Sequence, residues 1–389
     1  MNDVPAALRL PSKLPAVGTT IFTVMSQLAA DTGAVNLGQG FPDFDIPDPL
    51  AELLARAVRD GHNQYAPMAG LLALREMIAA TTEAAYGHRA DPATEITVTS
   101  GATEAIFNAI LAVLHPGDEA IVLDPSYDSY EPGIVLAGGT CVHVPLRAAD
   151  FSVDWDAVAA AVTPRTRLII VNSPHNPTGA VWSADDVSRL AALAQAYELF
   201  VIADEVYAHI VFDGRRHESV LRSPALAARA FVVSSFGKTY HCTGWKVGYC
   251  IAPAALSAEF RKVHQYNTFS TSTPAQWAFA GMLRDHPGHH AALGAFYELK
   301  RDRFRAQLAR TRLAALPTRG SYFQLVDYSA ISDLPDDAFA RWLCTAHGVA
   351  SIPLSPFYAA PPAGQRIVRL CFAKGDATLD AAVARLERA

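Results

Sequence analysis

Ala230-Phe-Val-Val-Ser-Ser-Phe-Gly-Lys238 carries an apolar run straight into a polar turn that ends on a lysine. A short run of this kind, bounded by turn residues, reads as a strand buried on both faces, with Lys238 delivered just past its carboxyl end. Four further runs follow the same pattern: Glu95-Ile-Thr-Val-Thr99, Glu119-Ala-Ile-Val-Leu123, Arg167-Leu-Ile-Ile-Val171 and Leu199-Phe-Val-Ile-Ala203. Most are separated by stretches with helical character, such as Ala102 to Leu114 and Ser183 to Tyr197. Alternation of this sort predicts an α/β fold with a mostly parallel sheet covered by helices on both sides.

Each run ends in a polar cluster. The first ends in Ser100-Gly-Ala-Thr103, the second in Asp124-Pro-Ser-Tyr127, and the third in Asn172-Ser-Pro-His-Asn176-Pro-Thr-Gly179. The fourth ends in Asp204-Glu-Val-Tyr207 and the fifth in Ser234-Ser-Phe-Gly-Lys238. Parallel strands bring their carboxyl ends to one edge, and ligands of open α/β sheets bind there. One site built from five strand ends is therefore expected.

The residue types at that edge match the needs of pyridoxal phosphate. Lys238 offers an amine for a Schiff base, and Asp204 offers a carboxylate that favours a protonated pyridine nitrogen. Tyr207 and Asn176 are placed to hydrogen-bond the ring hydroxyl, and Tyr127 offers a face for stacking. Gly101, Ala102 and Thr103 open a predicted helix whose free amides and positive dipole end suit a phosphate. Ser235 adds a hydroxyl, Lys246 a point charge, and Tyr65 a further possible donor. A lone lysine after a strand is usually a solvated surface residue, Asp204 alone can cap a helix, and Asn176-Pro-Thr-Gly alone can be an ordinary turn. Their occurrence together and in this order favours the catalytic reading.

From about Val35 to Leu386 the chain resembles class I aminotransferases of fold type I, and is most similar to the branch holding methionine and kynurenine aminotransferases. The resemblance rests on Asn36-Leu-Gly-Gln-Gly40-Phe-Pro-Asp43, Asn176-Pro-Thr-Gly179, Asp204-Glu-Val-Tyr207, Ser235-Phe-Gly-Lys238-Thr-Tyr-His-Cys-Thr-Gly-Trp-Lys246-Val-Gly248 and Ile367-Val-Arg369-Leu-Cys-Phe372. It implies a large domain with a mostly parallel seven-stranded sheet in an α/β/α sandwich, plus a smaller α+β domain. It also implies that Arg369 pairs with the substrate α-carboxylate, helped by Asn176 and backbone near Gly40, and that Ile21 and Phe22 border the side-chain pocket. Tyr65 would reach the phosphate of a neighbouring subunit, which implies a homodimer with shared active sites. Lys246 stands where the wider class has arginine, and it gives up the two-pronged phosphate grip. His241 and Cys242 replace smaller or aliphatic residues, and their role stays open at this point.

Composition fits a metabolic enzyme. The chain has 389 residues and a net charge of −6, and it has no basic cluster interleaved with aromatics, so a nucleic-acid partner is not expected. Cysteines 141, 242, 250, 344 and 371 form no C-x-x-C pair, which fits a reducing compartment. The start of the chain lacks the pattern of a signal peptide, and no apolar run is long enough for a membrane span, so a cytoplasmic protein is expected. His286, His289 and His290 lie in a polar Pro-Gly stretch without acidic or cysteine partners at ligand spacing, so no metal is expected. Glu205 is expected to be an ion-pair partner, and Gly38-Gln-Gly40 lacks the flanking strand and helix of a dinucleotide loop.

The expected organisation is an irregular arm over residues 1–45 that contributes to the small domain, a large cofactor-binding domain over 46–285, and a small domain over 286–389. A long polar helix from Ala291 to Arg312 would connect the two domains. Transamination by a ping-pong mechanism is the expected activity; no second arginine is placed by motif to pair a side-chain carboxylate, which favours bulky apolar or aromatic amino acids, and the resemblance to methionine aminotransferases implies methionine among them. Kynurenine transamination and β-elimination from cysteine conjugates remain compatible with the same site. A ligand-sensing role would want an attached DNA-binding helix pair, and the N-terminal arm is too short for one.

Overall fold

All five apolar runs become strands of one seven-stranded sheet. The computed structural model describes residues 11–389; the leader-free start expected over residues 1–10 lies outside them. In chain order the strands are β1 (Ile96–Thr99), β2 (Glu119–Asp124), β3 (Thr140–Pro145), β4 (Thr166–Asn172), β5 (Phe200–Asp204), β6 (Ala230–Ser235) and β7 (Gly248–Ile251). Their spatial order is β1-β7-β6-β5-β4-β2-β3. Only β7 runs antiparallel to its neighbours, so the strands that carry the five clusters all point the same way.

Two strands escaped the apolar-run pattern for physical reasons. β3 is an edge strand whose outer residues are partly exposed and which ends in Pro145, and β7 begins at Gly248 directly after a tight turn. Gly248 is required there, since a Cβ would stand 2.6 Å from the Ser234 carbonyl oxygen and 3.0 Å from the Ala102 nitrogen.

The central strands are apolar throughout because both sheet faces are covered. Leu168 and Ile170 of β4, with Ile202, Phe231 and Val233, pack toward the Ala102–Val113 and Ala254–Asn267 helices. Ile169 and Val171, with Val201, Ala203 and Val232, face the opposite way into a core that continues into the C-terminal part of the chain. Each such aliphatic side chain contributes about 1.5–3 kcal/mol by leaving water.

The segment expected to be an irregular arm contains a helix, Ile21–Thr32, capped by the Thr20 hydroxyl and ended by Gly33 in the left-handed conformation. Its apolar face packs against the Asp336–His347 helix, and Val35–Asn36 pairs in parallel with Val349–Ala350. The Pro- and Gly-containing flanks masked this helix, since its own interior has neither residue. The connector helix spans Gly288–Leu308, starting and ending earlier than expected. A second, antiparallel sheet holds Phe323–Asp327 beside Ile367–Cys371, with Ile352–Pro353 and Ala314–Ala315 on its flanks. The five cysteines are free, and all but the half-buried Cys141 are buried. No helix of the described residues is long and apolar enough to cross a membrane.

Candidate active site

The carboxyl ends of β1, β4, β5 and β6 converge on a cavity of about 340 Å³. Its lining includes Gly101, Ala102, Thr103, Tyr127, Asn176, Asp204, Tyr207, Ser235, Lys238 and Lys246 from the large sheet's edge, and Phe22, Gly40, Phe323 and Arg369 from outside it. Lys238 is carried by a single helical turn, Phe236–Thr239, that follows β6 without a linker. Its Nζ lies 3.5 Å from the Gly40 carbonyl oxygen and 5.6 Å from the centre of the Tyr207 ring. Burial lowers its pKa to about 8, against the smaller opposing pull of Asp204.

Asp204 ends β5 and is buried. Burial raises its pKa to about 6, and hydrogen bonds from Tyr130 and the Val206 amide hold it from rising further. The Tyr130 hydroxyl donates to Oδ2 at 2.6 Å, and the Val206 N–H donates to Oδ1 at 3.3 Å. Register aligns Asn172 of β4 with Asp204, and the Asn172 side-chain amide donates to the Asp204 carbonyl at 2.7 Å. Asn172 Oδ1 in turn accepts from the Asn176 N–H at 2.8 Å, which fixes the turn that presents Asn176. Tyr130 was not singled out from the sequence. It lies three residues past Tyr127, and a tyrosine at that spacing on the short Tyr130–Leu136 helix is the one signal that could have marked it.

At the other end of the cavity, Gly101 has φ of +85° and leads into the Ala102–Val113 helix. A Cβ at Gly101 would stand 3.2 Å from Lys246 Nζ, so glycine lets the amides and the ammonium close on one small volume. With Thr103 and Ser235 alongside, this is a donor set that fits a phosphate group. Tyr127 flanks the space between this cradle and Asp204; burial, then Asp128, raises its hydroxyl to about 12, so it stays neutral.

Arg369 is only 1% exposed. Its Nη1 donates to Asn176 Oδ1 at 2.7 Å and its Nη2 to the Gly38 carbonyl at 3.0 Å. Nε is buried without a partner among the described residues. The guanidinium lies 4.0 Å from the Phe323 ring centre, 5.1 Å from Phe22 and 5.4 Å from Phe357. Cation–π contact offsets part of its desolvation, and burial still lowers its pKa. A buried cation with a spare donor is suited to a carboxylate ligand.

Ile21, expected to border the side-chain pocket, does not line the cavity, and Tyr65, expected to reach a neighbouring subunit, lies outside its own. Phe22 lines the cavity and Ile21, the residue before it on the same helix, does not, although both pack partly buried against the core. Tyr65 is 84% exposed, with its ring edge against Phe269. Gln39, Phe41, Val206 and Thr243 line the cavity without having been foreseen; Phe323 is also new. His241 instead meets the Tyr297 hydroxyl at 3.1 Å, in a group with Phe44 and Phe296, and Cys242 packs beneath Phe236. Glu205 is bound by His217 Nε2 and the Val220 N–H, each at 2.9 Å. No group of three or more His, Cys, Asp or Glu suited to a metal occurs among the described residues.

Residues 32–386 match the family described as aminotransferase class I and II. Methionine aminotransferase of Escherichia coli (strain K12) is 56% identical over 377 residues, covering 97% of each chain. A solved structure from Escherichia coli, for which a methionine aminotransferase function is identified, superposes with a TM-score of 0.96 at 55% identity, over 98% of this chain and 100% of the other. Kynurenine–oxoglutarate transaminase 1 of Mus musculus is more distant, at 33% identity over 96% of each chain.

Proposed function

We propose that this chain, which belongs to the class I and II aminotransferase family, moves the amino group of methionine and other bulky apolar or aromatic L-amino acids to a 2-oxo acid, using pyridoxal 5'-phosphate. That group, when bound, supplies an aldehyde carbon for an amine and a cationic ring that accepts the electron pair left at the substrate Cα. Lys238 is the amine and the base. With a pKa near 8 it is neutral in a larger fraction of molecules at physiological pH than an ordinary lysine, so its Nζ can take the proton from the substrate Cα. Asp204, ionised above about pH 6, holds a proton on the facing ring nitrogen. Tyr207 and Asn176 orient the ring oxygen, and Tyr127 stacks on the ring.

Gly101, Ala102, Thr103, Ser235 and Lys246 bind the phosphate. Arg369 and Asn176, with backbone near Gly40, hold the substrate α-carboxylate and so fix which bond at Cα stands over Lys238. Phe22 and Phe323 form the apolar wall for the side chain. Tyr65, turned away from its own cavity, serves the phosphate site of a second copy, and the working unit is a cytoplasmic homodimer with shared sites.

The observation that carries this reading is the buried, unpaired guanidinium Nε of Arg369 in the same cavity as the depressed-pKa Lys238. A half-reaction panel tests it. Enzyme loaded with pyridoxal phosphate is mixed with single amino acids, with no oxo acid added, and the 2-oxo acid released is measured. One equivalent per site is expected with methionine, and less with aspartate or glutamate at equal concentration. Release of no oxo acid from any amino acid would overturn the reading.

A further inference from the structure

Behind the phosphate-binding turn lies a buried, hydrogen-bonded Glu–His pair with no part in the chemistry proposed above. Glu104 sits in the first turn of the Ala102–Val113 helix, and His264 in the last turn of the Ala254–Asn267 helix. Glu104 Oε1 and His264 Nδ1 are 2.6 Å apart, with the histidine side chain fully shielded from solvent and the glutamate nearly so. His264 Nε2 lies 2.9 Å from the Met68 carbonyl oxygen. That oxygen can only accept, so Nε2 carries a hydrogen, and a single proton between Nδ1 and Oε1 makes the second contact a hydrogen bond.

The remaining bonds of the pair run in two directions. Glu104 Oε2 accepts from the Ser100 N–H, the residue that opens the turn into Gly101. Asn108 donates to Glu104 Oε1 at 2.6 Å and accepts from Asn267 at 2.8 Å, which locks the carboxylate's orientation. Met68, on the other side, belongs to the loop that displays Tyr65. That loop is further pinned by Thr273 to the Gln64 carbonyl at 2.6 Å, Ser270 to the Ala66 carbonyl at 3.1 Å, and the Val98 N–H to the Ala69 carbonyl at 3.0 Å. His264 thus bonds the Tyr65 loop directly and the phosphate turn through Glu104.

We propose that the Glu104–His264 pair is a positioning device that holds the phosphate turn and the Tyr65 loop in one register, so that the phosphate contacts made by a subunit and those lent to its partner are set together. This rests on the reading of Gly101–Thr103 and Tyr65 given above. A hydrogen-bonded contact in a shielded site transmits a displacement of either segment to the other, because loss of one partner leaves the other's polar atoms without compensation.

The test is the affinity of the apoenzyme for pyridoxal phosphate, followed by quenching of tryptophan fluorescence. His264→Phe should weaken binding about tenfold, the scale of one buried polar group left unsatisfied. Its kcat at saturating cofactor should stay within about twofold of the parent, which separates positioning from catalysis. Glu104→Gln, which keeps the side chain's shape, serves as the second variant and should weaken binding in the same direction. In a cycle with Tyr65→Phe, the effect of removing the Tyr65 hydroxyl should shrink at least about threefold in the His264→Phe background. Unchanged affinity in folded variants, or strict additivity with Tyr65→Phe, overturns the inference. Failure of the parent enzyme to take up the cofactor at Lys238 would instead sink the underlying reading.

Discussion

The two halves of the cavity are built differently. The half lined by Gly101, Asp204, Ser235 and Lys238 comes from strand ends of one sheet, where each residue's position follows from its place in a short local motif. The half lined by Phe22, Gly40, Phe323 and Arg369 is assembled from a helix near the start of the chain, a loop, and two strands of the C-terminal sheet. The first half offers paired donors and a carboxylate with both oxygens occupied, whereas the second presents a cation among aromatic rings with a donor to spare. A rigid sheet edge suits the constant part of the chemistry, and converging segments suit the part that must fit a substrate.

Substitutions can break that contrast. In the sheet-edge half, Lys238→Ala should lower kcat by about 10⁴-fold or more, because both the attacking amine and the base at Cα disappear; single-turnover kinetics would measure it. In the converging half, Arg369→Ala should raise KM for both amino acid and oxo acid by about 100-fold with a smaller change in kcat, since the lost contact is a buried charged pair with substrate. An unaltered KM would refute the assignment.

Smaller effects sharpen the same contrast. Tyr130→Phe removes a donor to the Asp204 carboxylate, and a hydrogen bond to a carboxylate favours its charged form. Its loss therefore raises the proton affinity of Asp204. The acid limb of the kcat profile, expected near pH 6 in the parent, should move upward past neutrality, with about tenfold lower kcat at pH 6.5 and near-parent rates at high pH. Phe22→Ala should cost the least overall, reducing the preference for methionine over alanine by about tenfold in kcat/KM, as expected for a trimmed apolar wall.

The same contrast explains what could be read in the sequence. Lys238, Asp204, Asn176 and Gly101 were legible because strand ends bind side-chain position to sequence position, and a parallel sheet gathers such ends. Arg369 was legible only through its motif, since nothing local says that its guanidinium would meet Asn176 across 193 residues. Phe323 carries no local mark in the sequence, and only the antiparallel pairing of Phe323–Asp327 with Ile367–Cys371 brings its ring near Arg369. Ile21 and Phe22 could not be told apart without the folded helix that sets which of them lines the cavity. Tyr130 meets Asp204 through packing between a short helix and the sheet, a contact that periodicity does not encode.

The five free thiols give the folded chain a chemical clock. Burial raises the thiol pKa of every one of them, Cys242 to about 12 and Cys371, two residues past Arg369 on the same strand, among them. Since only thiolates react readily with alkylating reagents, labelling of the four buried thiols should proceed no faster than the fold opens. Mass spectrometry of the labelled positions would then time the unfolding of each sheet separately, with Cys250 reporting on the large one and Cys371 on the small.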